Sequence, residues 1–174
     1  MKKILVPTDL SNVAELGLKL AVEIAKRCQA TISLINFTRH PFGETFNTTG
    51  EINLAANEDE DIFTLELLKA KKEKLEILAA QYTVEGVTIE LAVIDDKFKD
   101  GIDAYLNSES IDLIVMGTSG EETPKEAFTG NHTEQVIKIS SCPVLSVRDG
   151  FNVDDFKNLV VAVNVITDNQ IANG

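Results

Sequence analysis

Short apolar runs alternate with longer stretches of helical period through residues 1–148, and that alternation leaves few folds open. Ile4–Val6 is fully apolar and bounded by Pro7, the mark of a buried strand. Ser11 or Asn12 can cap the helix that follows. Val13, Leu16, Leu20, Ile24 and Cys28 then recur at three and four, with Glu15, Lys19, Glu23, Lys26 and Arg27 opposite. Ala30–Phe37 is a second strand. Thr38–Asn57 keeps no period and reads as a long connection. From Glu58 to Tyr82 the pattern is helical, with Ile62, Leu65, Leu68, Leu75, Leu78 and Tyr82 inward. Val87, Ile89, Leu91 and Val93 alternate on one face of a third strand. A short helix is expected over Phe98–Ser108, a strand over Ile111–Gly117, a helix over His132–Ser140 and a last strand over Pro143–Arg148. The order βαβαβαβαβ calls for an α/β fold with parallel strands, right-handed crossovers and helices on both faces.

At 174 residues and 44% hydrophobic, the chain can build one domain with a real core. Its net charge of −12 repels nucleic-acid backbones and anionic membranes, so neither is expected as a partner. The N-terminal apolar run falls short of the roughly 7–15 residues of a secretory signal. No segment nears the ~18 apolar residues of a membrane span, and a cytoplasmic protein is expected. Cys28 and Cys142 are expected as reduced, buried thiols, and without a histidine cluster they do not make a zinc site. His40 is expected at the surface, and Phe42, Phe46 and Phe63 as cover for the core.

The segment from Val115 to Lys138 carries Gly117, Gly120 and Gly130, after a buried strand and before a helix. It is neither a P-loop nor a dinucleotide-binding fingerprint, because both spacings are absent. Glycines at the end of a strand let backbone approach a phosphate without a Cβ in the way. A helix opening at Gly130 would offer free N–H groups to an anion. Ligands of doubly wound sheets lie beyond the carboxyl ends of the strands, where the winding changes direction. Asp9 and Gly117 both end strands that can be neighbours there. Asp9 has two readings, a cap for the first helix or a ligand contact. His132 lacks an evident orienting carboxylate and reads as a helix-start residue rather than a general base. No catalytic nucleophile–base pair and no metal site emerges.

"ILVPTDLS" at Ile4–Ser11, "DLIVMGTSG" at Asp112–Gly120, the G-x2-G-x9-G spacing and "CPVLSVR" at Cys142–Arg148 together resemble the universal stress protein family over residues 1–148. The resemblance implies a doubly wound five-stranded parallel sheet in the order 3-2-1-4-5, homodimers, and binding of ATP or another adenine nucleotide (ADP or AMP). It also implies site positions. Asp9 would accept from ribose hydroxyls, with Pro7 and Thr8 beside the base and Phe37 where the second strand meets adenine. Gly117, Gly120 and Gly130 would surround the phosphates, and Met116 and Thr118 would line the entry. Asn131, His132 and Thr133 would supply donors at the helix start.

Three features depart from the nucleotide-binding pattern. Asn131 stands where a hydroxyl usually follows the third glycine, and Ser119 where a basic residue usually precedes the second. Glu121, Glu122 and Glu126 face Lys125 as the loop's one cation, so a triphosphate is disfavoured unless the carboxylates turn away or hold Mg²⁺. Three functions follow: a nucleotide-binding stress-response module acting through a dimer, an interaction module that has lost nucleotide, or a slow ATP hydrolase.

Residues 149–174 are read as a linker and an extra strand. "FKNLVVAVNVI" (Phe156–Ile166) echoes Met1–Ser11, with Asn164 aligned on Asp9. It is either the start of a second repeat or a strand that packs on the domain or its dimer partner.

Overall fold

The structure, a computed structural model, describes residues 1–39, 58–83, 86–118, 132–148 and 150, with backbone alone at 58–61. The elements are β1 (Lys3–Pro7), α1 (Asn12–Cys28), β2 (Thr31–Thr38), α2 (Glu58–Gln81), β3 (Thr88–Asp95), α3 (Phe98–Ser108), β4 (Leu113–Gly117), α4 (His132–Ile139) and β5 (Val144–Val147). Five strands form one parallel sheet in the order β3-β2-β1-β4-β5. The winding reverses between β1 and β4. The sequence reading holds for every described element, with ends moved by a residue or two. The long connection after β2, the glycine loop after Thr118 and the strand expected at 156–166 lie outside the described residues.

Two cores flank the sheet. Ile4, Val6, Ile32 and Leu34 face α1 and α2, where Leu18, Ala21, Val22, Ala25 and Leu75 are buried. Leu5, Ile35, Ile114 and Met116 face α3 and α4, against Ile102 and Val136. Alternate residues of one strand thus feed opposite cores, as a two-sided sheet requires. The expected β3 face is confirmed, since Val87, Ile89, Leu91 and Val93 all pack on the α1–α2 side.

Helix α1 is capped by Ser11, whose Oγ accepts from the Ala14 amide at 3.2 Å. Its deepest face is Gly17, Leu18, Leu20, Ala21, Val22 and Ala25, rotated from the stripe of large residues. Val13, Leu16 and Ile24 are only half-buried flanks. Small residues let the helix sit closer to the sheet than leucines would. Cys28 is exposed, contrary to expectation, because it closes the helix just before Gln29 turns left-handed at φ 53°. Both cysteines are free, and burial pushes the half-buried Cys142 thiol up.

Helix α2 corrects the reading further. Leu75 and Ala79 are buried and Leu78 and Tyr82 pack on the core, but Ile62, Phe63 and Leu65 are 54%, 46% and 55% exposed. A 24-residue helix is about 36 Å long. The eight-residue strands beneath it are about 26 Å. The helix is therefore longer than the surface it covers, and its first turns carry the exposed residues.

The amino-terminal end of the sheet is tied by charge. Lys3 Nζ reaches Glu90 at 3.3 Å and Glu109 at 3.0 Å, and the Glu109 carboxylate leads in pushing the ammonium up. Asp112 Oδ2 accepts from the Lys3 amide at 3.0 Å and from that of Lys2, whose bond leads in holding the Asp112 carboxyl down. No described helix is long and apolar enough to cross a membrane.

Candidate functional site

The turn leaving β1 is held by its own side chains. Thr8 is 6% exposed, and its amide donates to the Ile35 carbonyl at 2.8 Å. Its Oγ1 accepts from the Leu10 amide at 3.0 Å, and Asp9 Oδ1 accepts from the Ser11 amide at 2.9 Å. Leu10 is left-handed at φ 68°, a strained state for a branched residue. These two side-chain acceptors fix the backbone that Leu10 disfavours. The helix cap is Ser11, so Asp9 is not the cap. Asp9 is exposed, and its Oδ2 makes no hydrogen bond to a described residue.

Asn36 supports this turn from β2. Its amide is 1% exposed, donates from Nδ2 to the Thr8 carbonyl at 2.7 Å, and accepts at Oδ1 from Thr38 Oγ1 at 2.7 Å. A buried amide with both ends satisfied ties two strand ends together at fixed distance. Pro7 is buried in the β1–β2 pairing, level with Ile35.

Beside β1 lies the end of β4. The register pairs Leu5 with Ile114, so Thr8 falls level with Gly117 when it is extended. A Cβ on Gly117 would sit 1.7 Å from the Val13 carbonyl oxygen, and a Cβ on Gly17 would sit 2.8 Å from the Gly117 amide nitrogen. The two glycines let the start of α1 press onto the end of β4. This contact alone demands glycine at position 117. Thr118 donates its amide to the Val147 carbonyl at 2.8 Å, which continues the pairing toward β5. Met116, at 6% exposed, belongs to the core under α3 and α4.

Three aromatic rings run along the same end of the sheet. Phe37 meets Phe98 edge-on, with centroids 5.6 Å apart and planes at 84°. Phe98 stacks on the His132 imidazole at 4.3 Å and 26°. His132 is exposed at the first position of α4, and Thr133 behind it is buried. Pro7, Thr8, Asp9, Phe37, Met116, Gly117, Thr118, His132 and Thr133 all sit at the carboxyl ends of the strands or at the start of α4. Gly120, Gly130 and Asn131 lie outside the described residues. A hollow of about 390 Å³ between Leu106–Ile111 and Ser141–Cys142 is at the opposite end of the sheet. Ligands of doubly wound sheets bind as a rule beyond the carboxyl ends of the strands instead.

A family model, described as the universal stress protein family, matches residues 1–148. The chain belongs to that family. Universal stress protein MJ0577 of Methanocaldococcus jannaschii is 29% identical, with 84% of this chain and 94% of that protein covered. Its solved structure superposes at a TM-score of 0.66 and 26% identity, over 87% of this chain and 98% of that one. A universal stress protein solved in complex with cAMP shares the fold at a TM-score of 0.56 and 18% identity, over 84% of this chain and 96% of that one. An Arabidopsis thaliana family protein with AMP bound shares it at 0.50 and 17%, over 89% and 95%. The fold implied by the sequence motifs is therefore the fold of this universal stress protein. Its sequence does not single out Asn36, Phe98, Gly17 or Gly101. Asn36 and Gly17 sat inside segments with a clear strand or helix period, and nothing local marked them as exceptional.

Proposed function

We propose that this universal stress protein binds an adenine nucleotide across the carboxyl ends of β1 and β4 and acts in stress response through a dimer in the cytoplasm. The observation that carries the reading is the exposed Asp9 carboxylate, held by the Ser11 amide at one oxygen and unbonded to described residues at the other, beside a glycine-ended β4. A carboxylate so placed accepts from vicinal ribose hydroxyls. Family structures carrying cAMP and AMP support an adenine nucleotide as the ligand class. Pro7 and Thr8 lie beside the base, with Phe37 at the end of β2. Gly117, Gly120 and Gly130 surround the phosphates, with Asn131, His132 and Thr133 as donors, and Met116 and Thr118 near the entry.

The acidic loop favours fewer phosphates. Glu121, Glu122 and Glu126 outnumber Lys125, so AMP or ADP binds at least as well as ATP, and Mg²⁺ narrows any gap. Mass spectrometry of ligand released from purified protein identifies the species, and calorimetry with and without Mg²⁺ ranks them. ATP binding tenfold tighter than AMP without metal, about 1.4 kcal/mol, would refute the ranking. Asp9→Ala weakens adenosine nucleotides more than pyrophosphate, and equal losses would remove Asp9 from the ribose. Asn131, in place of a hydroxyl, favours a second reading as an interaction module without nucleotide. That reading stands if no adenine nucleotide co-purifies or binds.

A further inference from the structure

β2 and α4 have no direct link through the sheet, because β1 and β4 lie between them. The first turn of α3 bridges this gap. Phe98 and Gly101 are three residues apart, so they share one helix face. Together they form a socket for Phe37: Phe98 presents its ring edge-on, and Gly101 leaves the floor open. A Cβ on Gly101 would lie 2.7 Å from Phe37 Cδ1 and 3.1 Å from Cε1. The other side of Phe98 carries the stacked imidazole of His132. One half-buried ring therefore touches both the residue that ends β2 on this face and the residue that begins α4.

We propose that Phe98 is a positioning residue of the nucleotide site, seated in the Phe37–Gly101 socket and stacked on His132, and that it sets the start of α4 against the end of β2. The inference rests on the nucleotide reading and deepens it. Phe37 stands at the base end and His132 at the phosphate end, so a ligand spanning β1 and β4 feels both positions at once. Aromatic pairs hold a preferred angle as well as a distance, which an aliphatic side chain of similar volume does not. A group displaced by about 1 Å at a site, even by a change made at a distance from it, no longer meets its partner in the productive geometry.

The test uses the full chain with AMP as probe. Calorimetry compares wild type with Phe98→Leu, Phe98→Tyr and Gly101→Ala, and urea unfolding reports the stability of each. Phe98→Leu is expected to weaken AMP by up to roughly tenfold, since ordering the released His132 and Phe37 rings on binding costs no more than about the energy of the aromatic pair that held them. Phe98→Tyr keeps the ring and is expected to restore binding to within about twofold. Gly101→Ala displaces the Phe37 ring and is expected to weaken AMP without touching the ligand. The chain has two histidines, so NMR of wild type and His40→Gln assigns the His132 imidazole. Its signal should carry a ring-current shift that Phe98→Leu abolishes, and should move when AMP is added to wild type. AMP binding by wild type with equal affinity in Phe98→Leu overturns the inference alone. A loss of affinity that only follows lost stability, without rescue by Tyr, also overturns it and leaves a packing role. A wild-type chain that binds no AMP defeats the nucleotide reading, and the inference with it.

Discussion

Gly117 shows how one residue can have two reasons to be what it is. As a phosphate contact it is read from the loop that follows it. In the fold, the carbonyl of Val13 occupies the place of its Cβ, so the position excludes any side chain before a ligand is considered. Gly117→Ala must therefore move backbone, and it should cost at least about 3 kcal/mol, toward the upper end of overpacking. Gly86 is the contrast: it is left-handed at φ 83° with nothing within 4 Å of its Cβ direction. Gly86→Ala should cost only the conformational strain, about 1 kcal/mol. Urea midpoints of the two variants check the ordering, and equal losses would refute the close contact with α1. Gly117 was legible because it ends β4 beside a change of period, and Asp9 because it stands in the turn between β1 and α1. Asn36 was not, since an amide within an apolar run discloses its partners, Thr8 and Thr38, only once two strands are paired.

Among the elements, α1 and α2 show where periodicity misleads. The stripe of large residues in α1 lies beside the contact face, because Gly17, Ala21 and Ala25 add little hydropathy while permitting close approach. In α2 the period was right but the support was not, as the helix outruns the strands beneath it. Near its end, Tyr82 donates its hydroxyl to Glu15 in the first turn of α1. Burial leads in pushing the Tyr82 phenol up, and the Glu15 hydrogen bond adds to it. The folded chain therefore holds the Tyr82 proton more tightly than the unfolded chain does. Its stabilising contribution is complete below the ordinary tyrosine value near pH ~10 and is lost as pH rises through the raised folded value. Tyr82→Phe should be less stable than wild type at pH 8, and the gap should narrow above pH ~10. Denaturation at a series of pH values checks this, and a constant gap would detach Tyr82 from Glu15.

For the whole molecule, the family match and the described β3-β2-β1-β4-β5 sheet both lie within residues 1–148. We expect chain 1–148 to unfold cooperatively and to bind AMP within about twofold of the full chain, since every residue of the proposed site lies upstream. Removing 150–174 should weaken the proposed dimer and increase aggregation, because Phe156–Ile166 is an apolar segment needing cover. Sedimentation and AMP titration of the two lengths decide, and an unchanged dimer without aggregation would rule out the strand.

The class of fold, the order of elements and the ends of the strands were readable in advance. Each rests on local chemistry: a period of two or 3.6, a cap, a proline, a glycine between a strand and a helix. Other features required the folded chain. The rotated face of α1, the exposure of Ile62 and Leu65 on α2, the Asn36 tether and the row Phe37–Phe98–His132 each depend on partners distant in sequence. A side chain's own polarity determines whether it seeks burial. Which neighbour receives it is set by strand order and register, and a linear pattern does not contain those distances.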